Sequence, residues 1–364
     1  MRWSVGRVSG KKWLILEIIA LYENVVMIDL SEAKIKGGLI FMSKKIKLFT
    51  HTDLDGIGCA ILAYLAFGKE NVDVEYCNYD DVNEKVREFY LHNEIVYDAI
   101  YITDISINEE NAQELDTWVA RDKLRLFDHH GTALWLNKYK WCVVDVFSDG
   151  RGGQLKTCGT ELFFKYLITE GCFDHFNNLS RLLSTEMFVK TVRDYDTWMW
   201  KEDKYWGIHS KNLNDLLGIY GRDLFINRCL EMISLTVFPN LDDNEICLLE
   251  NLHRTIDNYI NKKNSELIVF NDRFGKLCGV VFAERYFSEL GNRLSELHPE
   301  LDYIAMIDIA GRKVSYRTVK DNIDLGKEIV HAYGGGGHAK AAGSTFGEEV
   351  WSDIFARLFT TAAL

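Results

Sequence analysis

Four short runs rich in β-branched and aromatic residues, Ile46 to Thr50, Val72 to Tyr76, Ala99 to Thr103 and Leu124 to Phe127, are separated by helical stretches, notably Gly58 to Phe67 and Glu109 to Arg121. This alternation predicts a parallel sheet covered by helices on both faces, because each parallel pair needs a crossover long enough to hold a helix. Ligands of such sheets sit beyond the carboxyl ends of the strands. Residues 158 to 235 read as mostly helical, and Asp242 to Lys263 as one long polar helix. Beyond it, Leu267 to Phe270, Cys278 to Ala283, Tyr303 to Ile309 and Val314 to Thr318 are strand-like, with a helix from Ser288 to Glu296. The fold class expected is α/β in two lobes. An N-terminal parallel sheet with helices on both faces is followed by a smaller C-terminal α/β domain, with the active site in the interlobe cleft.

A chain of 364 residues suits two such domains. The boundaries expected are 42–235 for the first domain, 236–265 for a helical linker and 266–364 for the second. Residues 1–41 lack this order, whereas Met42 leads directly into the first strand. The segment is therefore read as an over-extended start or an arm apart from both domains. A formal charge of −12, from 42 basic and 54 acidic residues, excludes a broad cationic face for long duplex DNA but allows a short or small phosphate-bearing ligand. Eight cysteines without a C-x-x-C pair fit thiols in a reducing cytoplasm better than disulfides or structural zinc. Trp13 to Tyr22, the longest apolar stretch near the start, contains Glu17 and has about half the length of a membrane span. No membrane association is expected.

Acidic and histidine residues cluster where the strands end. His51, Asp53 and Asp55 follow the first strand, Asp104 the third, and Asp128-His129-His130 the fourth. Taken singly, each has a bland reading: a solvated loop, a helix N-cap for Asp104, an exposed turn. Their coincidence on one rim argues for a site. Mixed carboxylate and imidazole donors suit a pair of divalent transition metals, manganese first, with magnesium or cobalt as alternatives. In the second domain, Gly334 to Gly337 form a run in which backbone N–H groups can converge on an anion.

In order, His51-Thr-Asp53-Leu-Asp55-Gly56, Asp104, Asp128-His129-His130 and Asp194-Tyr-Asp196-Thr-Trp198 resemble the four signature segments of the DHH phosphoesterases. The run Gly334 to Gly343, with His338 and Lys340 inside it, resembles the glycine-rich signature of the DHH-associated C-terminal domain. The resemblance covers about residues 45 to 347. Phe127-Asp-His-His-Gly-Thr-Ala-Leu, Val192-Arg-Asp-Tyr-Asp-Thr-Trp, Ser288-Glu-Leu-Gly-Asn-Arg-Leu and Leu301-Asp-Tyr-Ile-Ala are similar to the bacterial oligoribonuclease branch. The chain departs from that branch in a shorter C-terminal part and in Cys158-Gly159-Thr160, where a Ser/Thr-rich segment is familiar.

The resemblance implies that His51 and Asp53 serve one metal, that Asp55, His129 and Asp196 serve the other, and that Asp104 bridges them. It makes His130 the contact to the scissile phosphate, beside Asp104 and an orienting Asp128. Arg317, Gly335, Gly336, Gly337 and His338 would bind substrate, with Ser315 and Arg293 as further candidates. Trp198 and Trp200 read as packing aromatics rather than base-stacking platforms. The implied activity is metal-dependent phosphodiester hydrolysis, trimming short single-stranded RNA from its 3′ end to 5′-mononucleotides. The alternatives are hydrolysis of small nucleotides (a cyclic dinucleotide or 3′-phosphoadenosine 5′-phosphate), a pyrophosphatase or exopolyphosphatase, and a non-catalytic nucleotide sensor. A homodimer is compatible with any of these.

Overall fold

In the computed structural model the described residues are 4–8, 11–15 and 44–359, except 93–95, 118–122, 149–154, 177, 204 and 236–237. They group into two compact units, Met1–His175 and Phe176–Leu364.

In the first unit, β1 (Ser4–Val8) and β2 (Lys11–Ile15) pair antiparallel. The rest of residues 1–41, read above as an over-extended start or separate arm, lies outside the described residues. The chain then runs β3 (Ile46–His51), α1 (Leu54–Phe67), β4 (Val72–Cys77), α2 (Val82–His92), β5 (Ala99–Thr103), α3 (Glu109–Thr117), β6 (Leu124–Asp128), β7 (Cys142–Val144) and α4 (Gly159–Thr169). The five-stranded sheet has the order β4-β3-β5-β6-β7, and every neighbouring pair is parallel. Ile46, Leu48, Phe49, Ile100, Ile102 and Leu126 are fully buried. Strands covered on both faces need such near-continuous apolar runs rather than alternation. From β3 the chain steps to β4 on one side and then to β5 on the other, so the topological switch point lies between β3 and β5.

The second unit opens with α5 (Leu179–Asp196), α6 (Gly207–Tyr220), α7 (Arg222–Leu235) and α8 (Asp243–Ser265). Helix α8 starts in a capping box, in which the Asp242 side chain accepts from Glu245 N and the Glu245 side chain from Asp242 N. Glu245 is fully buried and takes the Arg228 guanidinium at 2.7 and 2.8 Å, tying α8 to α7. There follow β8 (Ile268–Asn271), β9 (Leu277–Phe282), α9 (Phe287–Leu297), β10 (Tyr303–Asp308), β11 (Lys313–Arg317), β12 (Gly336–Gly337), β13 (Ala341–Thr345) and α10 (Glu348–Phe359). The sheet order is β12-β13-β11-β10-β9-β8, with β9 and β10 parallel and the other pairs antiparallel. Ile256 and Ile260 of α8 share a core with Leu290 and Leu294 of α9 and with Val281, Ile304 and Met306 of the sheet. Tyr303, Tyr316, Leu325 and Ile329 build a second cluster. The division at residues 175 and 176 places α5 to α7 in the second unit. All eight cysteines are free thiols, and among the described residues no helix is long and apolar enough to cross a membrane.

Candidate metal centre and active site

At the switch point β3 ends on His51, and Asp53 caps α1 by accepting from Gly56 N at 3.1 Å. Gly56 is required there, because a Cβ would stand 2.2 Å from the His51 carbonyl oxygen. His51 Nδ1 and Asp53 Oδ2 lie 2.9 Å apart. Asp53 holds the His51 imidazole above its ordinary pKa, with burial opposing. Partial burial works against ionisation of Asp53, yet His51 and the Gly56 N–H bring its carboxyl down to about 2.

Asp104 follows β5 with φ 56°, a left-handed backbone that Asp tolerates better than most residues. Its N–H donates to Phe127 O at 2.9 Å, and its residue surface is 1% exposed. This turn sets one carboxylate oxygen toward each of two histidines: Oδ2 is 3.8 Å from His51 Nδ1, and Oδ1 is 3.3 Å from His129 Nε2. The helix-cap reading of Asp104 therefore gives way to a carboxylate poised between two imidazoles. Burial lowers the His129 pKa, favouring the neutral, ligating ring, while Asp55 opposes this.

Asp55 and Asp128 are buried carboxylates locked by donors. Asp55 accepts from Gly159 N at 2.6 Å and Thr160 N at 2.8 Å, the first amides of α4, and its Oδ2 lies 3.7 Å from His129 Nε2. A helix N-terminus favours an anion in this position. Gly159 permits the approach, since a Cβ there would lie 2.7 Å from Asp104 Cβ. The departure noted at Cys158-Gly159-Thr160 is thus the amide clamp of Asp55. Asp128 Oδ1 accepts from His129 N at 2.7 Å and lies 2.7 Å from His130 Nδ1, and Oδ2 accepts from Ser106 Oγ. Burial pushes the Asp128 carboxyl up, but His130 and Ser106 outweigh it and keep it below the usual range. Asp128, grouped above with the catalytic candidates, orients His130 through these bonds. His130 Nε2 then meets Tyr79 Oη at 3.3 Å, and the Tyr79 ring lies 5.1 Å from that of His51. Tyr79, just past β4, was not singled out in the sequence; its signal is a tyrosine two residues beyond a strand end on this rim.

In the second unit Asp196 is the last residue of α5. Arg317 closes β11, with Nη1 donating to Tyr316 O at 2.8 Å and Nη2 lying 3.4 Å from Ser288 Oγ, while its buried Nε has no partner among the described residues. Burial pushes the guanidinium pKa down, with Glu289 opposing. The glycine run is a tight hairpin rather than an open loop. Gly335 N donates to Val330 O at 2.9 Å, so Gly335 contributes shape and not a free donor. Gly336 and Gly337 form β12 against Gly343 and Ala342, and a Cβ at Gly337 would stand 2.6 Å from Ala342 Cα. His338 is exposed beside it, Ser315 sits opposite Gly343 in β11, and Arg293 is exposed on α9, 3.3 Å from Glu296. Trp198 is 48% exposed and Trp200 half-buried, so neither is a fully buried core aromatic.

The donor set fits a divalent cation: one ligand atom each from His51, Asp53 and Asp104 lies within 4.8 Å of the others, and so does one each from Asp104, Asp128, His129 and His130. No family model matches the chain. It is 39% identical over 317 residues to the oligoribonuclease NrnB of Bacillus subtilis strain 168, spanning 86% of this chain and 75% of that one. Among solved structures, the DHH domain of a protein from a family of ribosomal proteins shares the fold, with a TM-score of 0.54 at 14% identity over 88% of each chain. A pGpG-specific phosphodiesterase from Vibrio cholerae aligns at 15% identity over 87% of this chain and 98% of that one, with a TM-score of 0.48. Identity of this extent to NrnB, joined to the strand-end Asp/His rim, means that the chain belongs to the NrnB family of DHH phosphoesterases.

Proposed function

We propose that this chain is a cytoplasmic 3′-to-5′ exoribonuclease that trims short single-stranded oligoribonucleotides to 5′-mononucleotides, with two divalent cations, manganese first, as its cofactors. The observation that carries the reading is the buried Asp104 carboxylate, with one oxygen toward His51 and the other toward His129. The NrnB relative supports the substrate class. When bound, the cations supply Lewis-acid charge that activates water near neutral pH and neutralises the phosphoryl oxygens. His51, Asp53, Asp104, Asp55 and His129 would hold them, with Asp196 in the ligand role that the resemblance gives it. Asp128 fixes the orientation of His130, whose Nε2 faces a phosphoryl oxygen. Water adds to phosphorus and the bond to the 3′ oxygen breaks, leaving a shortened strand with a free 3′ hydroxyl and a nucleoside 5′-monophosphate. Arg317, with Gly336, Gly337 and His338, holds a non-reacting part of the substrate, a task for which a guanidinium fork is well shaped.

The test is a side-by-side assay with Mn²⁺ of a 5′-labelled five-nucleotide RNA, a long RNA, a cyclic dinucleotide and pyrophosphate. Stepwise shortening of the pentamer, faster than turnover of the other three, is the expected result. Faster hydrolysis of the cyclic dinucleotide would move the assignment to a small-nucleotide phosphoesterase, and faster hydrolysis of pyrophosphate to a pyrophosphatase.

A further inference from the structure

Two residues beyond the end of α5, Trp198 takes a left-handed backbone with φ 67°, a conformation that bulky side chains rarely adopt. Its indole stands at the head of an aromatic ladder. Trp198 and Trp200 have ring centres 6.3 Å apart at 28°, and Trp200 and Tyr195 6.1 Å apart at 14°. The ladder walls a cavity of about 630 Å³ within the second unit, faced by Ile256 and Ile260 of α8 and by Asn292 of α9. That volume suits a ligand of nucleoside size. Each cation lining the cavity already has a carboxylate nearby: Lys201 lies 3.7 Å from Glu296, Arg293 3.3 Å from Glu296, and Lys211 2.8 Å from Asp215. Asp257 and Glu289 also face it, so the lining is net acidic. A phosphate is repelled there, whereas an uncharged planar ring with N–H donors finds a stacking surface and acceptors.

We propose that this cavity is a nucleobase subsite, in which a base of the substrate stacks on Trp198 and turns its amine edge toward Asp257 and Glu289. The inference rests on the oligoribonuclease reading for the origin of the base: Asp196, a metal ligand by resemblance, lines the same cavity. Its physical basis is independent of turnover, because base stacking on an aromatic ring is strong for every base.

Binding of adenosine and of ribose 5-phosphate is measured by calorimetry on the full chain, as wild type, Trp198→Ala and Trp198→Phe. Adenosine should bind the wild type and Trp198→Phe alike and bind Trp198→Ala about tenfold more weakly. Ribose 5-phosphate should not compete. In turnover, Trp198→Ala should raise KM for a pentaribonucleotide more than it lowers kcat. An abasic residue moved through the pentamer should cancel the difference between the two proteins at one position. Absence of adenosine binding to the wild type, equal binding to a folded Trp198→Ala, or competition by ribose 5-phosphate would overturn the subsite. If adenosine binds through Trp198 but the wild type releases no mononucleotide from any oligomer, the subsite stands and the oligoribonuclease reading fails instead.

Discussion

Asp55, Asp104 and Asp128 of the first unit are each 1% exposed, and backbone amides or a hydroxyl lock the first and last of them, whereas Gly336, Gly337, His338 and Arg293 of the second unit stand exposed on a hairpin and a helix face. Burying a carboxylate is costly unless hydrogen bonds and opposite charge compensate it. The first unit provides the hydrogen bonds through the amides of α4 and the Ser106 hydroxyl, and the proposed cations would supply the opposite charge. Its sheet is parallel throughout, so successive strand ends deliver these groups to one edge. The second sheet is mostly antiparallel and brings backbone close to backbone at Gly337 and Ala342. Charge is pre-organised in one unit, and shape in the other. Substitutions on the rim of the first unit should therefore strike kcat and metal affinity, and those at Arg317 and the glycine hairpin of the second KM.

The largest expected effect is that of Asp104→Ala. No neighbour can replace a carboxylate set between His51 and His129, so turnover with Mn²⁺ should fall by about a thousandfold or more, with the far-ultraviolet spectrum unchanged. Retention of more than about a hundredth of the rate, the smallest loss typical of a general acid–base group, would remove Asp104 from the centre.

Next in size is Arg317→Ala. Loss of one charge-assisted contact costs about 1.5 to 3 kcal/mol, or roughly one to two orders of magnitude in kcat/KM, carried mainly by KM. The loss should shrink on bis(p-nitrophenyl) phosphate, which has no second nucleotide to hold. Equal losses on both substrates would show that Arg317, packed against Gly291 of α9, supports the fold instead.

Gly159→Ala tests how rigid the first rim is. The added Cβ must push α4 away from Asp104 and draw its amides off Asp55. A Mn²⁺ titration should show roughly tenfold weaker half-saturation, the scale of losing a group that orients a metal ligand. An unchanged titration would mean that the clamp is dispensable and that the rim is looser than its burial implies.

The strands of the first sheet were legible because both faces are buried, which leaves apolar runs with turn residues at their ends. Ala99–Thr103 has the bounds expected from the sequence, and α8 begins one residue after Asp242, as its capping box dictates. Strand β7 is three residues long, and β12 is two glycines, too little side-chain pattern to read. The ligand candidates could be read because each follows a strand directly. Their supports could not: Ser106 reaches Asp128 from 22 positions away, and Gly159 reaches Asp55 from 104. Only the tertiary approach creates those contacts. No local pattern announces the left-handed backbone of Trp198, which the sequence alone does not show.

Tyr79→Phe should have the smallest effect and sharpens the comparison most. Tyr79 is 61% exposed, unlike the carboxylates beneath it, yet its hydroxyl meets His130 Nε2, the atom proposed to face the substrate phosphate. Because Asp128 holds Nδ1, the ring orientation should survive loss of the hydroxyl, and only the outer contact disappears. An exposed hydrogen bond of this kind is worth about 0.5 to 1 kcal/mol, so kcat/KM on the pentamer should fall by about threefold, with Mn²⁺ half-saturation unchanged. A fall of a hundredfold would place Tyr79 among the groups that touch the reacting phosphate. A rise in rate would mean instead that its hydroxyl competes with substrate for His130.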